Sequence, residues 1–251
     1  MPSSSQTIAD LNASAVCLMQ QQQYLEASRI LRNAVEVLRH TTAEESSDSS
    51  LKATHASPAH HAPCQNNSST NTNNNKRLYD SVQIPGHYFA SSSACNSSGM
   101  FPFFNRALLI NLDSAEILRT NNPFENDLIR RLAAVLLYNL ALVHHSCGIR
   151  TGGSEDLSKA LSFYQGAFMS LSSIWDSLTV SDSLLVLALL NNMGHIRANN
   201  LDRKEACGCL DLLRRFFAEC RGNCLIEEES IFFYITTFIF SEEPLTASPA
   251  A

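Results

Sequence analysis

Charge is scarce in this chain. Asp, Glu, Lys and Arg make up 17% of its 251 residues, against roughly 25% in an ordinary soluble domain. The shortfall collects in one Ser/Asn/Thr/His-rich stretch rather than over the whole surface. Positive charge is scarcer still: 18 Lys and Arg stand against 24 Asp and Glu, for a net charge of −6. The basic residues are scattered, with doublets at Lys76-Arg77, Arg130-Arg131 and Arg214-Arg215. Such a balance does not attract a phosphate backbone, so no nucleic-acid partner is expected. Met1-Pro2-Ser3-Ser4-Ser5-Gln6 has neither the basic start nor the apolar run of a secretory signal. The apolar run from Ser230 to Phe240 is far short of the ~20 residues that a spanning helix needs. The expectation is an intracellular protein, cytoplasmic or nuclear, with no membrane segment.

Catalytic signatures are missing as well. The nine glycines form no phosphate-cradling loop and no dinucleotide fingerprint. Neither a nucleophile elbow nor a His-Glu-x-x-His helix occurs. No enzyme and no cofactor are expected, and the rival reading is a site assembled from distant residues on a helical scaffold. Of the eight cysteines, most lie within apolar helical patterns, where a free thiol behaves as a small hydrophobe. Cys207 and Cys209 project to nearly opposite sides of a helix, whereas Cys220 and Cys224 share a face. A tetrahedral zinc site would therefore require the helix to unwind. His55, His60, His61 and Cys64 fall in the low-complexity stretch, so no metal site is expected there either.

What is present is helical periodicity interrupted by polar segments. Residues 8–40 read as a helix pair. Ile8, Leu11, Ala15, Leu18 and Met19 line the first helix, and Leu25, Ser28, Leu31, Val35 and Leu38 the second. Residues 41–76 lose nearly all large apolar side chains and read as a disordered insertion. Residues 77–121 form an irregular segment. Within the span 82–112, two short strands are predicted at Val82–Ile84 and within Met100–Leu112, joined by a Ser91–Gly99 loop, with a helix over Phe104–Ile110 as the alternative.

Residues 122–240 turn helical again. Asn122 and Pro123 open a helix that is expected to end near Gly148. Ser154-Glu155-Asp156 opens its partner, and Ser181-Asp182 the next helix. Asp202 with Glu205 makes a capping-box start for another. Residues 230–240, rich in Phe, Ile and Thr, predict a strand or a buried cap, and 241–251 a disordered tail.

One pattern recurs three times. Ala15 and Ala27 lie twelve residues apart, as do Gly194 and Ala206. Ala141 and Ala160 repeat the theme with seven extra residues assigned to the turn. Small residues at such places let antiparallel helices approach closely. Leu11, Ala15, Leu18, Tyr24, Ala27, Leu31 and Ala34 resemble a tetratricopeptide repeat of about 34 residues. So do Leu140, Ala141, His144, Leu157, Ala160, Tyr164 and Ala167. The set Leu190, Met193, Gly194, Arg197, Ala206, Leu210 and Leu213 is similar, with leucine in place of the last alanine.

The resemblance implies a mainly all-α protein, an α-solenoid of antiparallel helix pairs, acting as a non-catalytic interaction module or scaffold. It implies a concave groove lined by first helices and holding a protein or peptide partner. By motif position the groove takes Asn12, Val16 and Met19 from the first repeat, and Tyr138, Asn139, Leu142 and His145 from the second. The third contributes Asn191, Asn192, His195 and Asn199. Two readings of the equivalent Asn139 and Asn192 stand side by side. Either they bond the main chain of an extended peptide with donor and acceptor together, or they bond neighbouring helix ends. Repeats of this kind that hold acidic chaperone C-termini use cations. Asn12, Val16, Asn139, Ala188 and Asn192 stand at those places, so that partner is not expected. A last rival places the function in the 41–76 insertion, as a phosphorylation target.

Overall fold

A computed structural model describes residues 4–48, 78–85, 101–111, 125–220 and 225–239. Seven helices and a two-stranded sheet occupy these residues. The helices are α1 (Ser4–Gln20), α2 (Tyr24–Asp48), α3 (Glu125–Thr151), α4 (Ser154–Ser172), α5 (Val180–Asn199), α6 (Arg203–Cys220) and α7 (Glu227–Tyr234). The strands are β1 (Tyr79–Gln83) and β2 (Arg106–Ile110). Helices α1 to α6 pack as three antiparallel pairs, each pair against the next, so the first pair joins the later two through α2 and α3.

The three pairs share one turn. At Gln22, Gly152 and Leu201 the chain takes positive φ values of 60°, 68° and 60°. The next N–H then reaches back five residues: Gln23 to the Leu18 carbonyl, Gly153 to Gly148 and Asp202 to Arg197, at 2.9, 3.1 and 2.9 Å. This terminator, closed by a second bond from Gln22 to the Met19 carbonyl and from Leu201 to the Ala198 carbonyl in the first and third turns, satisfies carbonyls that the helix end leaves open. The helix expected to end at Gly148 therefore ends at Thr151, with Gly152 as the left-handed residue. The seven extra residues of the middle repeat are not in its turn. Counted from the shared turn, four lengthen α3 and three lengthen α4, about one helical turn each.

Side chains set the helix starts. Thr179 and Asp182 close a capping box on α5. Asp202 accepts the Glu205 N–H at 3.4 Å, but the Glu205 carboxylate turns away to pair with Arg197. The Asn122–Pro123 start lies outside the described residues. Helix α2 continues eight residues beyond the expected boundary at His40, to Asp48, and the remainder of the 41–76 insertion lies outside the described residues.

Helices α3 and α5 are apolar around their full circumference: Leu132 to Val143 and Leu184 to Leu190 are largely or wholly buried. A helix of that kind must be covered on every side. By length and composition, Asn126–Thr151 would also suffice to cross a membrane, and most of its apolar window is buried inside the protein. A buried ion pair joins the two helices, with Arg131 Nε 3.0 Å from Asp182 Oδ2. Asp182 also accepts the Tyr79 hydroxyl at 3.1 Å, tying β1 to both. Burial, with the Asp182 carboxylate second, pushes the Tyr79 phenol well above its usual range.

The expected strand at 230–240 is instead α7 followed by a wide helical turn at Ile235–Ile239. Three glutamates open α7 at its positive end. The Thr236 and Thr237 hydroxyls bond back to the Phe232 and Phe233 carbonyls, overriding the local β preference. Phe233 is buried between Phe104 and Phe217.

Candidate functional site

The faces of α1, α3 and α5 that were expected to form an open groove hold a stretch of the same chain. Residues 101–111 run across them in extended form, and β2 is their second half. In an extended chain, successive residues present their N–H and C=O groups to opposite edges. The odd residues use one edge to pair with β1. The Ile84 N–H meets the Asn105 carbonyl and the Asn111 N–H the Leu78 carbonyl, each at 2.9 Å, and the register between them is antiparallel, Val82 opposite Ala107.

The even residues face the helices, where side chains stand in for a third strand. Asn192 accepts the Phe104 N–H at 3.0 Å and donates to the Phe104 carbonyl at 3.0 Å. Four residues on, Asn139 accepts the Leu108 N–H at 2.9 Å and donates to its carbonyl at 2.8 Å. Between them the Tyr138 hydroxyl donates to the Arg106 carbonyl at 2.8 Å. Asn191 donates to the Pro102 carbonyl at 2.8 Å. Asn12 donates to the Leu108 carbonyl at 2.9 Å and accepts from Asn139 at 2.8 Å, which brings all three helix pairs to one strand edge. Buried main-chain groups need partners, and this ladder supplies them at every second residue from 102 to 108.

Side chains hold the segment as well. Gly194, expected to allow close helix approach, serves the Phe101 ring instead: a β-carbon there would stand 2.5 Å from its carbons. Phe103 lies over His145 and His195, with ring centroids 4.2 and 5.7 Å away. Phe104 meets Phe232 and Phe233 of α7, and α7 is fastened to the sheet by Arg106–Glu228 and by the Ser81 hydroxyl on Glu229 at 2.6 Å. His145 Nε2 lies 3.0 Å from His195 Nδ1, and His145 Nδ1 lies 3.3 Å from the Tyr164 hydroxyl. Burial lowers the pKa of both rings, that of His195 to about 4, and the neighbouring His195 lowers that of His145 further.

Asn12, Val16, Met19, Tyr138, Asn139, Leu142, His145, Asn191 and Asn192 are thus brought together, but all are buried. His195 is half-buried and Asn199 exposed, with the Asn199 amide 3.3 Å from the His195 ring. Val16, Met19 and Leu142 are core residues. The asparagines bond the extended main chain of the protein's own residues 101–111, not neighbouring helix ends. Sequence reasoning missed the buried Arg131–Asp182–Tyr79 cluster. The far edge of β1 is also notable: the main-chain groups of Tyr79, Ser81 and Gln83 have no partner among the described residues.

A cleft of about 690 Å³ lies elsewhere, between α4, α5 and α6, with Phe168, Leu190, Met193 and Cys209 in its wall. Burial raises the pKa of the Cys209 thiol. Among the described residues, no group of three or more His, Cys, Asp or Glu is arranged to hold a metal ion. Comparison with family models, curated proteins and solved structures gives no match.

Proposed function

We propose that the protein is a non-catalytic interaction module, a tetratricopeptide-like solenoid that grips an extended polypeptide by its main chain. The asparagine ladder supports this reading. Amides that bond N–H and C=O together recognise strand geometry, not particular side chains. Residues 101–111 are the resident occupant, and a partner segment enters by taking their place. The test uses full-length protein as bait, with a lysine-flanked peptide of residues 101–111 as competitor. Release of the captured polypeptides by the peptide is the expected result, and capture that is indifferent to a large excess overturns the reading.

The far edge of β1, unpaired among the described residues, favours a second reading, in which a partner strand adds to β1 while the resident segment stays in place. Gln83→Pro removes an outward N–H and leaves the main-chain β1–β2 bonds in place, although it also removes the Gln83–Asn105 side-chain bond. Under strand addition it abolishes capture; under groove exchange it leaves capture intact.

A further inference from the structure

One acceptor of the ladder is unfilled. Asn191 is fully buried and gives its amide hydrogens to the Pro102 carbonyl and to Asn192 at 2.8 and 3.1 Å, yet among the described residues its Oδ1 has no partner. Asn139 and Asn192 each answer both main-chain groups of one residue. Asn191 answers only the carbonyl, because the residue it faces, Pro102, carries no N–H. A buried acceptor without a donor is a standing cost, and it falls where the resident segment enters the groove.

We infer that Pro102 makes residues 101–111 an intentionally incomplete occupant. The preferred occupant is an extended polypeptide, of the same polarity, that carries a main-chain N–H at the place of Pro102. This rests on the groove reading above and adds a chemical selection to it. The recognised segment has large apolar residues at the places of Phe104 and Leu108, and any residue but proline two places before the first of them.

Two lysine-flanked, fluorescent peptides of residues 101–111 test the selection, one with the natural proline and one with alanine at that place. On full-length protein the alanine peptide is expected to bind about three- to tenfold more tightly, the worth of one hydrogen bond. This holds even though proline would favour its own peptide by limiting its free conformations. The preference is expected to vanish in Asn191→Ala. Equal affinities, or a preference that persists in that variant, overturn the role of Asn191.

A second measurement needs no added ligand. In full-length Pro102→Ala, exchange of the Phe104 and Leu108 amide hydrogens is expected to slow about three- to tenfold, and unchanged or faster exchange overturns the vacant-acceptor argument. If exchange slows but neither peptide binds, the acceptor is as described while the resident segment is not exchangeable. In that case the groove reading is what falls.

Discussion

Asn139 stands where three interactions meet, so its loss is not a simple truncation. Asn139→Ala leaves the buried Leu108 N–H without an acceptor and Asn12 without its donor. A loss of about 2–3 kcal/mol in urea unfolding is expected. Gly194→Ala should also destabilise, by about 1–3 kcal/mol, because the new methyl collides with Phe101. The sign is informative, since alanine would by itself raise helix stability by ~1 kcal/mol. Shrinking the ring in Gly194→Ala/Phe101→Leu is expected to recover part of the loss. The histidine pair adds a pH dependence. Both rings have lowered folded-state values, so the unfolded chain binds more protons once pH drops below its ordinary value near 6.5. Their contribution is fully present above that point and is lost as pH falls below it, that of His195 toward about 4. A urea midpoint that falls between pH 7 and 4.5, and falls less in His195→Gln, is the expected result.

At the scale of elements, the common turn makes a paired prediction. Leu201 is 73% exposed and left-handed, a conformation costly for a branched side chain. Leu201→Gly should stabilise by roughly 0.5–1 kcal/mol, and Gly152→Ala should destabilise by a similar amount, both read from thermal unfolding. The sequence revealed the helix pairs because their Ala, Leu and Tyr positions keep a helical period. It did not reveal where the turns lie in the middle repeat. Gly148 resembles a terminator as much as Gly152 does, and only the folded backbone separates them, through the positive φ of Gly152 and the five-back bond from Gly153. Of the two readings of the tail, strand or buried cap, the strand fails, because Phe, Ile and Thr favour strands only in isolation. The three glutamates before them, and the aromatic contacts they reach, decided otherwise.

At the scale of the whole molecule, the candidate residues were legible and their occupant was not. Asn139 and Asn192 stood out by motif position, but Leu108 and Phe104 lie 31 and 88 residues from them, with no local pattern linking the two. A signal was nonetheless present. Leu184–Leu190 is apolar on every side of α5, and an open groove would have left one of those sides bare. In the sequence Arg131 is only one half of a basic doublet. Its pairing with Asp182 depends on the stacking of α3 on α5, which periodicity does not encode. Arg131→Met is expected to cost about 3–5 kcal/mol, because Asp182 is then left buried without its cation. Replacing residues 50–76 with a Gly/Ser linker of equal length should leave both the unfolding midpoint and partner capture unchanged. Loss of capture alone would shift the function to that insertion.

The segment under α1, α3 and α5 is read by parity: one set of main-chain groups belongs to the helices, the other to β1. Changes of composition along it are therefore matters of degree, but a change of count is not. Inserting a single residue between Phe104 and Leu108 would put Leu108 out of phase and turn its N–H and C=O away from Asn139, whereas inserting two would restore the phase with only a shift along the groove.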